Sequence, residues 1–322
     1  MVKWKSNDGR AAFTLVELLV AIAVLALLVA LIGQLFFNTT AASAISTNHI
    51  ESDARVRLLF ARMASDFSHI VKRSDVDCFL KEPLYPAWPT STVQNVNTQL
   101  GPANDQIAFF SEVSGYSDVS GVAENSPSLI AYRVNNTGTA PCIERMGKAL
   151  SWSGGTAGIY PIAFMPVYIS EVWPTATIAP ASSGTSDPAY DQDYETLVPN
   201  AFRFEYYYQL RSGALSSTPW DTTATYNPLH TALNGWADVA GIGVVVAVTD
   251  RKSAALASSA SLQALAKQME DFPTQFPVPN GFTVGSLQQN WQSTVAASTL
   301  PAAVKDGIRV YEQVFSIDTP AQ

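Results

Sequence analysis

The feature that most constrains this chain is an uncharged apolar run, Leu18 to Phe37, interrupted only by Gly33 and Gln34. At about 1.5 Å per helical residue, some twenty residues reach about 30 Å, the thickness of a bilayer's hydrocarbon core. The run is longer than the roughly 7–15 apolar residues of a secretory signal. It follows a short leader, Met1 to Ala12, in which Lys3, Lys5 and Arg10 stand against one acid, Asp8. That bias keeps the leader cytoplasmic and sends everything after Phe37 across the membrane. Residues 1–12 are therefore read as leader and 13–37 as a transmembrane helix.

Glu17 lies one turn inside the mouth of this run. A carboxylate there is costly unless it is paired, so intramembrane acids are functional candidates. The alternative is that Glu17 stays wet at the interface. Apart from this residue the segment has the composition of a plain anchor.

The block Phe13-Thr14-Leu15-Val16-Glu17 ahead of an all-apolar helix resembles the N-terminus of type IV pilins and of the pseudopilins of type II secretion. The resemblance implies cleavage by prepilin peptidase between Ala12 and Phe13, and N-methylation of Phe13. It also implies pairing of Glu17 with the terminal amine of a neighbouring pilin-like subunit. Neutralising two charges held in lipid would fix the register between subunits. Ala12 departs from the family, which usually has Gly at that position. The match covers about the first tenth of the chain.

Setting aside leader and anchor leaves about 280 of the 322 residues, enough for one large domain or two small ones. A formal net charge of −8 argues against nucleic acid as a partner. Sparse charge with abundant Ser, Thr, Ala and aromatic residues suits a β-rich extracytoplasmic domain. Cys78 and Cys142 are too few for a metal cage or a disulfide framework; in an oxidising compartment they pair, or else they remain two buried thiols.

Beyond the anchor, Asn38 to Asn48 is small and polar, with weak helix propensity at Thr and Asn. Ser52-Asp53 offers a cap, or a polar turn within a longer helix. Val56, Leu59, Phe60, Met63, Phe67 and Ile70 then recur at three- and four-residue spacings, one apolar face of an amphipathic helix. Arg55, Arg57, Arg62 and Asp66 are read as lying largely off that face, and Lys72-Arg73 as closing the helix favourably to its dipole. Residues 38–73 form the soluble half of the N-terminal helix, and 74–322 a β-rich globular domain.

Strands are expected at Gln106–Val113, Ser128–Val134, Cys142–Trp152, Val167–Val172, Asn200–Arg211, Val239–Thr249 and Gly307–Ile317. Asn200–Arg211 alternates cleanly, as a half-buried strand does. Val239–Thr249 is nearly continuous in apolar residues, as for a strand buried on both faces. Between the last two lies an insertion of about 252–305. Leu256, Leu262, Leu265, Ala266 and Met269 mark one helix there, ending before Pro273, and Leu287, Trp291 and Val295 mark another over Ser286–Ala297. The stretch Ser153–Pro199 is loop-rich. Its acidic cluster, Asp187, Asp191, Asp193 and Glu195, is a calcium-loop candidate, because some pseudopilins bind calcium. It lacks EF-hand spacing, which favours a solvated loop.

The layout of Arg62-Met63-Ala64-Ser65-Asp66-Phe67, a late strand rich in Phe and Tyr, a Trp-containing loop and a Val-rich strand ending in Thr249-Asp250-Arg251 resembles minor pseudopilin J of type II secretion. It is also similar to a pilin-like cassette protein of Verrucomicrobia.

No metalloprotease, nucleophile-elbow or phosphate-loop motif is present, so no catalytic residue and no cofactor is assigned. His49 and His69 read as surface residues, His230 as a loop residue. Trp173, Trp220 and Trp236 read as packing residues rather than ligand platforms. The expected fold is α+β, a long N-terminal transmembrane helix with an antiparallel sheet packed on its soluble half. The expected role is a minor pilin-like subunit of the inner membrane. Its N-terminus would be cytoplasmic and its C-terminal domain periplasmic, at the tip of a filament or in its initiation. The rival reading is a membrane-anchored binding module or hydrolase unrelated to assembly.

Overall fold

A computed structural model describes residues 14–72, 104–115, 127–135, 140–151, 162–163, 194–219, 236–273, 278 and 281–317. The chain divides into two compact units, Met1–Asn48 and His49–Gln322. Helix α1 is assigned over Leu15–Ser68, including the polar stretch 38–48 and Ser52-Asp53. In the first unit, Leu15–Phe36 is exposed throughout, has a mean hydropathy of 3.1, and is long and apolar enough to cross a membrane.

In the second unit the α1 stripe behaves as its spacing predicts. Val56, Leu59, Phe60, Met63 and Phe67, with Ile70 just past the helix, are buried in one cluster. The helix stops at Ser68 with no basic residue in its last turn. Lys72 therefore lies beyond the end and does not close it. The Ser68 hydroxyl donates to the Ser65 carbonyl (2.8 Å), and the His69 ring Nδ1 lies 2.8 Å from the same oxygen. Terminal helix carbonyls need such partners.

Two sheets meet on this stripe. The first has β1 (Ile107–Ser111), β2 (Ser128–Asn135) and β3 (Cys142–Ser151) in antiparallel order. Both β4 (Ile162–Ala163, parallel) and β5 (Tyr194–Pro199, antiparallel) pair with β3. The second is wholly antiparallel, in the order β7 (Leu215–Ser216), β6 (Ala201–Leu210), β8 (Val239–Thr249), β9 (Ile308–Ser316). Strand β5 lies inside the stretch read as loop-rich. Its exposure does not alternate, and the β3 register shifts beside it between Ile143 and Glu144. The expected strand at Val167–Val172 lies outside the described residues.

Residues 104–105 splice the sheets together. Asn104 donates from Nδ2 to the Phe202 carbonyl (3.2 Å) and accepts the Phe204 amide (2.8 Å). Asp105 donates its amide to the Phe204 carbonyl (3.0 Å) and accepts the Tyr206 amide on its carboxylate (3.2 Å). Two side chains thus complete the edge of β6 where no strand pairs with it, satisfying groups that burial would otherwise leave unmet.

The alternation in β6 is correct but its second face is not solvated. Phe204, Tyr206, Tyr208 and Leu210 join α1 and the first sheet, while Phe202 and Tyr207 join a second core. A register shift between Ala201 and Arg203 moves Phe202 to the face opposite Phe204. What covers that face is the insertion. It forms α2 (Arg251–Leu256), α3 (Ser259–Gln268), α4 (Ser286–Ala297) and α5 (Ala302–Lys305). The single helix expected over Leu256–Met269 is two helices. Ser258 caps α3, its hydroxyl accepting the Ser261 amide (3.1 Å). Leu262, Leu265, Met269, Phe272, Leu287, Trp291, Val295 and Val304 pack against Val245, Ala247, Ile308 and Val310. Strand β8 is accordingly buried on both faces, as its composition predicts.

Gly243 makes one of these contacts possible. A Cβ there would lie 2.2 Å from Cζ of Tyr207, its partner on β6. The Tyr207 ring instead stacks on Phe272, with centroids 4.9 Å apart.

Candidate functional site

Thr14 opens α1 from the N-cap position and Glu17 stands three residues on, at N3. The Glu17 amide donates to Thr14 Oγ1 (3.3 Å), and Glu17 Oε2 accepts both the Thr14 amide (3.0 Å) and the Thr14 hydroxyl (2.9 Å). This reciprocal pairing is a capping box. It meets orphan donors at the helix start and places a negative charge where the helix dipole favours it. Two donors also lower the cost of holding a carboxylate at the mouth of an apolar helix. Both donors converge on Oε2, and among the described residues Oε1 has no hydrogen-bond partner. Thr14 and Glu17 thus form a local acceptor site with one oxygen available. Ala12 and Phe13 lie outside the described residues.

The other residues singled out from the sequence do not converge on a site. Asp187, Asp191 and Asp193 lie outside the described residues. Glu195 sits on β5 and pairs with Arg145 Nη1 (3.5 Å). Among the described residues no group of three or more His, Cys, Asp or Glu is arranged to hold a metal. Cys142 begins β3 as a free thiol, with Sγ 3.7 Å from Glu144 Oε1. Burial first, and the Glu144 charge second, push that thiol up to about 11. Cys78 lies outside the described residues, as do His230, Trp173 and Trp220. Trp236 is a core residue, packed edge-on to Phe109 and Tyr208.

The sequence reading missed the most heavily charged part of the interior. Asp66 is fully buried, not off the apolar face. Its carboxylate receives Arg145 Nε on Oδ2 (2.7 Å) and Nη2 on Oδ1 (2.9 Å), and accepts the Tyr132 hydroxyl. Burial pulls the Arg145 guanidinium down, but the hydrogen bonds and charge of Asp66 outweigh it and hold it above its ordinary value. Burial, then the Asp66 charge, raise the Tyr132 phenol. The fork geometry of Arg145 and Asp66 gives direction as well as energy. The signal was present: Asp66 continues the spacing of Leu59 and Met63 towards Ile70, so the helical period places it inward.

A second missed cluster fastens the insertion to β6. Arg203, fully buried, donates from Nη2 to Glu205 (3.0 Å) and to Asp271, and lies 5.0 Å from the Trp291 ring centre. Glu205 accepts the Phe272 amide (3.1 Å). Helix α4 has no side-chain cap of its own. Glu312 on β9 supplies one, accepting the Gly285 amide (2.8 Å), the Gln288 amide (3.2 Å) and the Tyr207 hydroxyl (2.6 Å). Contacts of this kind, far apart in sequence, carry no local pattern.

Comparison with known proteins adds one family match. Residues 7–33 match the prokaryotic N-terminal methylation motif. No curated protein matches the chain. Among solved structures, a type IV-like pilin from Thermus thermophilus is similar at 12% identity, over 84% of this chain and 96% of that one, with a TM-score of 0.30. The α+β assignment rests on the helix and the two sheets themselves.

Proposed function

We propose that the chain is a minor pilin-like structural subunit, matured by prepilin peptidase between Ala12 and Phe13 and held in the inner membrane by residues 13–37. The observation that carries this reading is the methylation motif over residues 7–33, with the Thr14–Glu17 capping box at the head of the apolar helix. In this reading the Phe13 amine of one subunit meets Glu17 Oε1 of a neighbour. The ion pair removes two charges from the apolar phase at once, which neither subunit achieves alone. The C-terminal domain then lies in the periplasm, and the partners are prepilin peptidase and other pilin-like chains. The role is assembly, not catalysis, in a type II secretion or type IV pilus-like system.

Intact-mass and N-terminal analysis of membrane-extracted protein tests this directly. The expected product begins at methylated Phe13. Retention of Met1 in cells with active prepilin peptidase would overturn it and leave the anchored-module reading.

A further inference from the structure

Strand β9 ends the second sheet, and among the described residues half of its outer edge is unpaired. The β8–β9 register is unbroken, with the Ile317 amide donating to the Ala240 carbonyl and the Asp250 amide to the Gly307 carbonyl. Odd-numbered residues of β9 therefore turn their amides and carbonyls towards β8, and even-numbered residues turn theirs outward. Two other edges are covered. Residues 69–71 cover β1, through Val71 N to Phe110 O (3.0 Å) and Glu112 N to His69 O (2.8 Å). Asn104 and Asp105 cover β6. At the start of β9, Gln288 Nε2 takes the outward Val310 carbonyl (2.8 Å). From Glu312 to Ser316, among the described residues, nothing bonds to the outward amides and carbonyls of Glu312, Val314 and Ser316. Apart from Glu312, which is turned in to the insertion, this stretch has no Pro, no Lys and no bulge to blunt the edge.

The ground beside this edge is basic. On the face towards α1, Tyr311 bonds to Asp53, and Arg57 and Arg309 both lie within electrostatic reach of Tyr311. Arg57 and Arg309 are exposed. Asp53 keeps its charge when the Tyr311 hydroxyl donates to it, so Arg57 and Arg309 together exceed it by one positive charge on this face. On the opposite face the Glu312 carboxylate is taken up by the Tyr207 hydroxyl and the Gly285 and Gln288 amides, and the side chains that follow it, Val314 and Ser316, are small and uncharged.

We propose that Glu312–Ser316 is a strand-addition site for an extended segment of a partner polypeptide. That segment would carry acidic side chains on its α1-facing positions, against Arg57 and Arg309, and β-branched residues on the other face, beside Val314. Backbone pairing supplies the attraction and the alternate side chains the selectivity. The site is separate from the N-terminal pairing reading and stands or falls without it.

The test uses the full chain in detergent and a synthetic peptide, acetyl-Thr-Val-Asp-Val-Asp-Val-Thr-amide, with amide exchange resolved residue by residue. In the chain alone, the amides of Val314 and Ser316 should exchange at least about tenfold faster than those of Gln313 and Phe315. Saturating peptide should remove most of that difference. A peptide with Lys in place of Asp, or one N-methylated on alternate residues, should not. Val314→Pro removes an outward amide and no β8 bond, so it should abolish peptide protection and leave Gln313 and Phe315 protected. Arg309→Glu should weaken the Asp peptide and favour the Lys peptide. Slow exchange of Val314 and Ser316 in the chain alone would mean that another part of the chain covers the edge. Protection that rises with protein concentration would mean that a second copy does. No protection by the peptide, or equal protection by all three peptides, would also overturn the proposal.

Discussion

Asp66 shows how one residue can hold a helix in register on a sheet. Its carboxylate joins α1 to β3 through Arg145 and to β2 through Tyr132, all in the interior. Removing one partner strands the other charge, so Asp66→Ala should cost about 3–5 kcal/mol in chemical denaturation. Replacing both charged groups, as Asp66→Leu with Arg145→Met, should recover most of that loss, because a buried pair contributes little beyond its own desolvation. Glu17 makes the opposite case. Among the described residues it bonds only to Thr14, so Glu17→Ala should leave the C-terminal domain's stability unchanged and make insertion easier. If the pairing reading is right, the same change should sharply reduce incorporation with partner subunits, measured by co-purification. Unchanged incorporation would favour a wet-interface role. Glu17 was legible in the sequence because a charge in an apolar run has no neighbours to hide among. Asp66 was not singled out, because a charged residue beside Arg62 and Ser65 reads as surface until the helical period is followed through it.

At the scale of elements, the sequence placed those with strong periodicity. The apolar stripe of α1, strands β6 and β8, and the helix Ser286–Ala297 stand where their patterns put them. The pattern could not say what lay on the far side of β6. Arg203, Glu205 and Tyr207 look like a solvent face, yet all three are buried beneath the insertion. Their polar groups bond to Asp271, Phe272 and Glu312, residues 68, 67 and 105 positions away. The insertion is thus part of the core rather than an appendage, and its anchor is Trp291, fully buried with its indole donating to the Glu270 carbonyl (2.8 Å). Trp291→Ala should destabilise the domain by about 3–5 kcal/mol. A control at Val284, half exposed on the loop before α4, should cost less than about 0.5 kcal/mol. Equal small effects at both positions in thermal unfolding would show the insertion to be a loosely held flap.

At the scale of the whole molecule, the question is how many copies an assembly accommodates. A major filament subunit must pack its head against copies of itself on several sides. This head carries a helical insertion of roughly fifty residues on one sheet face, far longer than ordinary connections. In the assembly proposed above, that bulk favours a position with neighbours on one side only, as at a tip. Cysteines at Ala26 or Ala30 should therefore give heteromeric crosslinks to other pilin-like chains. Abundant homomeric ladders would make the chain a major subunit, and no crosslinks at all would leave it an anchored module.

The pairing of β9 with β8 has a consequence in time. Phe315 fills the space beside Phe60 and Phe67, and Tyr311 reaches Asp53, partners some 250 positions earlier in the chain. A ribosome delivers the α1 end of this contact early and the β9 end almost last. The inner face of α1 must wait, half clothed, until nearly every codon has been read, and loop closures of that span slow folding. During this interval the nascent domain is exposed to proteases and to mispairing, and shelter from both becomes a condition of its yield. A chain stopped just short of Ile308 would not be a slightly shorter protein but one that never completes its interior.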